Sequence, residues 1–421
     1  MSLPSYLRDQ WWSPASDEGA AEVRDASTGE LVARVSADGA DLAGALEYAR
    51  TVGQASLGEL TFHQRAVLLK RMAQVLTERK QELYDLSARA GATRTDAWID
   101  VDGGIGALFT YSSKGRRELP NAQVVVDGPA ESLAKDGSFL GQHIFTRLPG
   151  VAVQINAFNF PVWGLLEKFA PSFLAGMPTL AKPATPTAYV AEAMVRILVE
   201  SGLLPAGSLQ LVSGSVTGLF DHLRLGDLVA FTGSASTAER LRAHDSVQTG
   251  GVRFTSETDS INASVLGPDA LPGTPEFDAY VKQLVVELTA KAGQKCTAIR
   301  RAIVPAAAVD DLLAAVRSRI EERVVVGDPR AEGVTMGPLA SREQRAEVLR
   351  QVARLVAAGG ELAIGGLDQP SVTRGDGTLG VEPEGAFVAP IVLRFADART
   401  PEAHTVELFG PVVAVLPFGS A

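Results

Sequence analysis

From Val151 onward, short apolar runs alternate with amphipathic helical stretches, and this alternation restricts the fold more than any other feature of the chain. Runs at 151–155, Thr179–Lys182, 209–212 and 228–231 read as buried strands. Residues 162–174, 188–201, 216–223 and 238–243 between and after them carry helical periodicity. Strand–helix–strand units of this length place successive strands parallel, with helices on both faces. A second block repeats the design, with strands at 263–266 and 301–304 and helices at 276–292, 309–321 and 341–358. Ahead of both lie a hairpin of 22–25 with Leu31–Val35 and long helices at 42–52, 64–88 and about 102–119. The polar stretch 138–149 suits a hairpin leaving a domain, and 252–261 suits the crossing into a second lobe. The expectation is an α/β protein of two lobes.

Bulk properties exclude several functions. The 421 residues are 46% hydrophobic and 21% charged, as in a globular enzyme. Apolar runs are strand-sized, so no membrane span is expected. Met1-Ser2-Leu3-Pro4 lacks the basic and apolar regions of a secretion signal. A net charge of −10 without any Lys/Arg block argues against nucleic acid as a partner. His63, His143, His222, His244 and His404 form no ligand spacing, so no metal is expected. One cysteine cannot make an internal disulfide, which fits a reducing cytoplasm.

That cysteine, Cys296, lies in Gly293-Gln294-Lys295-Cys296-Thr297. Alone it reads as a small buried hydrophobe. Its company changes the reading: Glu257 is a candidate base, and Asn159, in Asn159-Phe160-Pro161 after an apolar strand, is a candidate oxyanion donor. Gly214, with Gly218 at an expected helix start, and Gly233-Ser234 follow strands, where backbone N–H groups and a helix N-terminus favour a phosphate. Either turn alone is a weak signal. Lys182 ends a strand at the edge where α/β sheets bind ligands, although alone it reads as a solvated lysine before a turn. Gly103-Gly104-Ile105-Gly106 has no strand before it and reads as structural.

Asn159-Phe160-Pro161, Lys182-Pro183-Ala184, Phe231-Thr232-Gly233-Ser234, Glu257, Gly293-Gln294-Lys295-Cys296 and Glu407-Leu408-Phe409-Gly410-Pro411-Val412 stand in the order that resembles NAD(P)-dependent aldehyde dehydrogenases. Gly91-Ala92-Thr93-Arg94-Thr95-Asp96-Ala97-Trp98 and Lys291-Ala292-Gly293-Gln294-Lys295-Cys296-Thr297-Ala298-Ile299-Arg300-Arg301 are similar to the dehydrogenase part of the bifunctional phenylacetate-degradation enzymes. The resemblance implies the aldehyde dehydrogenase fold: a Rossmann-like cofactor domain (1–127 and 149–259), a bridging and oligomerisation hairpin (128–148), and an α/β catalytic domain (260–421) incomplete at its C-terminus. It further implies a homo-oligomer.

By the same resemblance Cys296 is the nucleophile, Asn159 holds the oxyanion, and Glu257 activates the water that hydrolyses the thioester. Lys182, Thr185, Gly214, Gly218, Phe231, Gly233, Ser234, Glu407 and Phe409 hold the cofactor. Many NAD-specific members carry a glutamate where this chain has Thr185, so NADP is expected, with NAD possible. The usual Leu-Gly-Gly after the glutamate is replaced by Thr258-Asp259-Ser260. The implied substrate is 3-oxo-5,6-dehydrosuberyl-CoA semialdehyde of phenylacetate degradation, with Arg300 and Arg301 expected to meet the CoA phosphates. The alternatives are the 3,4-dehydroadipyl-CoA semialdehyde of aerobic benzoyl-CoA degradation, a CoA-acylating dehydrogenase, and a non-catalytic scaffold or nucleotide-binding module of the same fold.

Overall fold

The computed structural model describes residues 2–419, which divide into two compact units. The first takes Met1–Glu22, Ala33–Leu83 and Ile99–Thr258, and the second takes Val23–Val32, Tyr84–Trp98 and Asp259–Ala421. Two short segments therefore leave the expected cofactor domain for the second unit. Long-range polar contacts draw them there: Arg330 donates to the buried Asp25 carboxylate at 2.8 Å, and Lys291 N–H donates to Asp96 at 2.7 Å.

The first unit is built on a seven-stranded sheet ordered Arg253–Glu257, Leu228–Thr232, Ala152–Ile155, Thr179–Lys182, Leu209–Leu211, Ser5–Leu7, Gln10–Trp12. The first five strands run parallel, and the N-terminal pair closes the edge antiparallel. Val151, Val153, Leu180, Val212 and Val229 form one apolar layer with Leu7, Leu46 and Phe220. From Ala152–Ile155 the chain first builds outward to Leu209–Leu211, then returns to add Leu228–Thr232 on the opposite side. The order thus reverses beside Ala152–Ile155, and in open α/β sheets ligands bind outside the carboxyl ends of the strands at such a reversal.

The turn into Leu228–Thr232 is tied by Asp227, whose buried carboxylate meets Arg50 at 2.5 Å and accepts the N–H groups of Val151 and Arg224. The expected helix at 216–223 is absent. Only a four-residue 3-10 turn forms, Leu219–His222, after Gly218 in the left-handed region. The antiparallel ribbon Val125–Ser132 with Leu140–Phe145 extends from this unit. Its Val126, Ile144 and Phe145 are each more than half exposed. Among the described residues no helix is long and apolar enough to cross a membrane.

The second unit carries a five-stranded sheet, Asn262–Val265, Ile299–Pro305, Val412–Phe418, Ile391–Arg394, Glu361–Ile364, parallel except for the last pair. Three of these strands go beyond the two expected from periodicity. Val412–Phe418 is buried on both faces over its first five residues, so it carries no alternation to betray it. Apolar clusters cover the two faces, one including Leu284, Leu288, Leu312 and Val415, the other Leu339, Val352, Leu393 and Ala414.

Candidate active site

The carboxyl edge of the first sheet gathers most of the expected cofactor and base residues. Strand register sets Ile155 beside Lys182, Phe231 beside Ile155, and Thr232 beside Glu257. Gly233 N–H donates to the Glu257 carbonyl at 3.2 Å, joining the two strand ends. A Cβ at Gly233 would meet Phe231 Cζ at 2.7 Å, so any larger residue would have to push that ring aside. Ser234 caps the helix Ala235–Arg242. Its N-terminus supplies the anion-favouring field expected at this motif.

The other glycine motif behaves differently. Gly214 lies against Ala37, whose amide nitrogen a Cβ would meet at 2.4 Å, and Gly218 precedes only a 3-10 turn. The helix argument for a phosphate therefore fails at Gly214 and Gly218, and both glycines have sufficient backbone reasons to be there.

Lys182 is half-buried, and burial pulls its ammonium below the ordinary lysine range, with no carboxylate among the described residues acting on it. Thr185 follows in a short 3-10 turn, Thr185–Thr187. Asn159 is buried in the turn before the helix Trp163–Ala175. Asp100 secures that turn, its carboxylate accepting Trp163 N–H at 2.8 Å and Val162 N–H at 3.2 Å. Nothing local in the sequence marks Asp100, since it acts 62 residues away. Asn156 is another buried amide, with neither side-chain atom bonded among the described residues. Such a group costs about 1–3 kcal/mol unless something satisfies it.

A cavity of about 670 Å³ opens at this edge, lined by Gly103, Gly106, Tyr111, Trp163, Phe231 and Glu257, among others. The glycines read as purely structural from sequence are therefore part of its wall. A Cβ at Gly103 would meet the Trp163 ring at 2.5 Å, so the small residue lets that indole lie against the helix. Glu257 is exposed at the strand end, open to water.

In the second unit, Cys296 is exposed, against the buried reading its isolation first invites. The expected helix to 292 stops at Thr289, and Lys291, Ala292 and Gly293 all adopt positive φ. For the two non-glycine residues this costs on the order of 1–3 kcal/mol each and persists only where surroundings impose it. Here Asp96 takes the Lys291 N–H, and Gln294 bonds both the Lys291 carbonyl and the Ala340 N–H. At Gly293 a Cβ would meet the Gly410 carbonyl at 2.1 Å. The thiol thus sits on a strained, pinned loop while its own side chain reaches solvent.

Glu407 and Phe409 belong to this same unit, in the segment that enters Val412–Phe418. Burial pushes the Glu407 carboxyl above the ordinary range, opposed by the Ser260 N–H and by Arg300. Arg300 and Arg301 do not face outward for CoA phosphates. Arg300 is 2% exposed with its guanidinium 5.4 Å over the Phe409 ring, and Arg301 bonds His404 and the Ile261 carbonyl. The expected residues therefore fall in both units: the Asn159 amide, the Glu257 carboxylate and the Ser234-capped helix in the first, and the exposed Cys296 thiol in the second.

Residues 11–421 match the family described as the aldehyde dehydrogenase family. The chain is 46% identical over 421 residues to 3,4-dehydroadipyl-CoA semialdehyde dehydrogenase of Aromatoleum evansii, covering 99% of this chain and 80% of that protein. It is 26% identical to α-ketoglutaric semialdehyde dehydrogenase of Bacillus subtilis, over 98% of this chain and 80% of that protein. Among solved structures, betaine aldehyde dehydrogenase of Staphylococcus aureus in complex with NAD+ shares the fold, with a TM-score of 0.84 at 20% identity over 100% of this chain and 78% of that one.

Proposed function

The chain belongs to the aldehyde dehydrogenase family, and from that premise we propose that it oxidises a CoA-linked semialdehyde to the carboxylic acid, with NADP as hydride acceptor. The observation that carries the chemistry is Cys296, the sole cysteine, exposed three residues after the buried, left-handed stretch Lys291-Ala292-Gly293. As thiolate it attacks the aldehyde carbonyl, forming a C–S bond and a thiohemiacetal. The Asn159 amide supports the oxyanion. Lys182, Thr185, Gly233 and Ser234 would hold NADP, which would supply the hydride acceptor, and Cys296 carries the acyl group as a thioester once the hydride has left. Glu257, open to water at its strand end, takes a proton from the water that hydrolyses it.

For the substrate, the 46% identity over nearly the whole chain favours 3,4-dehydroadipyl-CoA semialdehyde. The phenylacetate-derived 3-oxo-5,6-dehydrosuberyl-CoA semialdehyde, first on motif resemblance, becomes the second reading. Steady-state oxidation of both, with analysis of the oxidised end, tests this. A higher kcat/KM for the shorter substrate and a free carboxylate product are expected. Transfer of the acyl group to added CoA would point to acylating chemistry, and no reduced cofactor with either substrate would leave the fold as a scaffold.

Cofactor choice is read from the first unit. Lys182 is a half-buried cation with no carboxylate among the described residues acting on it, at the edge where the resemblance puts the adenosine ribose. Thr185 leaves room beside it and adds no negative charge. Thr185→Glu is expected to weaken NADP binding at least ten-fold, or about 1.4 kcal/mol, through like-charge repulsion of the 2′-phosphate. NAD binding should be unchanged or improved. Equal loss for both cofactors, measured by titration of protein fluorescence, would remove the argument.

We assign the ribbon Val125–Ser132 with Leu140–Phe145 to pairing with a second copy of the chain. A two-stranded ribbon exposing Val126, Ile144 and Phe145 is a poor solvent surface and a ready apolar contact. Ile144→Glu with Phe145→Glu is expected to shift the protein to smaller species in sedimentation velocity. An unchanged distribution at equal concentration would place the subunit contact elsewhere.

A further inference from the structure

Three adjacent parallel strands of the second unit, Asn262–Val265, Ile299–Pro305 and Val412–Phe418, start from one edge of their sheet. The segments that enter them carry Ser260, Cys296 and Glu407 to Gly410, far apart in sequence but neighbours at that edge. Two side chains cross-link these segments. Arg300 donates from Nη1 to the Gly410 carbonyl at 2.9 Å and from Nη2 to the Lys295 carbonyl at 3.1 Å. Its guanidinium covers the face of Phe409 at 5.4 Å. Ser260 donates from Oγ to the Cys296 carbonyl at 2.6 Å, and its N–H is bonded to the Glu407 carboxylate. Asn262 adds a second donor to the Cys296 carbonyl at 2.6 Å.

Stability alone gives no reason for this arrangement. Arg300 is 2% exposed, makes no ion pair among the described residues, and leaves Nε without a partner among them. Its hydrogen bonds go to carbonyls alone, and although Glu407, Cys296 and Glu287 act on it through space, burial outweighs them and carries a desolvation cost that an apolar side chain would avoid. What the fork does supply is geometry, because its planar donors fix two carbonyls at once. Ser260 works alike: a glycine there keeps the N–H to Glu407 and deletes the link to Cys296.

We propose that Arg300 and Ser260 are positioning residues that clamp the nucleophile segment, 295–297, against the loop 407–410. The inference rests on the reading of Cys296 as nucleophile and of Glu407 and Phe409 as the cofactor side. The clamp keeps the thiol and those two residues in one mutual arrangement, so its loss falls on the reacting geometry more than on binding.

The test compares the full chain with Arg300→Met, Arg300→Lys, Ser260→Ala and the Arg300→Met/Ser260→Ala double variant. Three quantities are read: kcat and KM for NADPH formation, the rate of Cys296 alkylation by iodoacetamide, and the melting temperature. The sole cysteine makes the alkylation signal unambiguous. Arg300→Met is expected to lower kcat about 10- to 100-fold with both KM values within about three-fold, because misplacement at the reacting centre is costly. Ser260→Ala should lose about three- to ten-fold, and the double variant less than the product of the two, since both act on one unit. Arg300→Lys should not restore kcat, because one ammonium cannot span both carbonyls. Alkylation should change at least about three-fold in Arg300→Met, since loop placement sets access to the thiolate. Unchanged kcat and alkylation per folded molecule, with only a lower melting temperature, would overturn the clamp, as would full activity in Arg300→Lys. A wild-type chain that oxidises no aldehyde sinks the proposed function, and the alkylation rates then still decide the clamp.

Discussion

Cys296→Ala is expected to abolish NADPH formation, with kcat down by at least about 10⁴-fold, because no other group supplies the covalent intermediate. The chain has no second cysteine to substitute for it. Its exposure and pinned loop leave the fold little reason to respond, so cofactor binding and the melting temperature should stay near wild type. Glu257→Gln completes the experiment. Gln cannot take a proton from water, so one equivalent of NADPH should form as a burst while the thioester accumulates on Cys296. Mass spectrometry of the quenched enzyme reads that adduct directly. Steady turnover in Cys296→Ala would sink covalent catalysis, and steady turnover in Glu257→Gln would reassign the base.

Asp227→Ala should produce the largest loss of stability among single changes in the first unit, about 3–5 kcal/mol, because it breaks a buried ion pair from one side. Arg50 and Asp227 are at most 5% exposed at their side chains and lie 2.5 Å apart. The same carboxylate accepts from Val151 at 3.0 Å and from Arg224 at 2.8 Å, so alanine also strands two N–H groups. These bonds sit where Ala152–Ile155 and Leu228–Thr232 enter the sheet side by side. Urea unfolding measures the effect as a lower midpoint at constant slope. Adding Arg50→Met should recover part of the loss by removing a buried cation left with only the exposed Glu47 and the His222 carbonyl, but not the share due to the two backbone groups. A loss below about 1 kcal/mol would mean that the pair is solvated in practice.

Much of the first unit could be read from the chain alone. Its parallel strands are short apolar runs next to helices of clear periodicity, and both signals are local. The failures are equally instructive. Residues 216–223 have helical spacing, yet Gly218 adopts a left-handed conformation and only a 3-10 turn survives. Residues 290–292 continue a helical pattern, but contacts with Asp96 and Gly410 impose positive φ and end the helix at Thr289. Strands at Glu361–Ile364 and Ile391–Arg394 pair only through the assembled sheet. Arg300, expected to meet the CoA phosphates, is instead buried by the fold against Phe409.

The sequence by itself determined the α/β class and the family, because residue type and order along the chain carry that information, and the proposed roles of Cys296, Glu257 and Asn159 start from it. Only the tertiary structure decided that Cys296 faces solvent, that Asp100 holds the Asn159 turn, and that Ser260 and Arg300 join the segments around the thiol. Those outcomes depend on partners 36 to 110 residues apart. The Ser260 and Arg300 bonds exist only after parallel strands have set their starting edges side by side, and the Asp100 bond only after the helices Arg94–Glu118 and Trp163–Ala175 have met, so no local pattern in the chain encodes them.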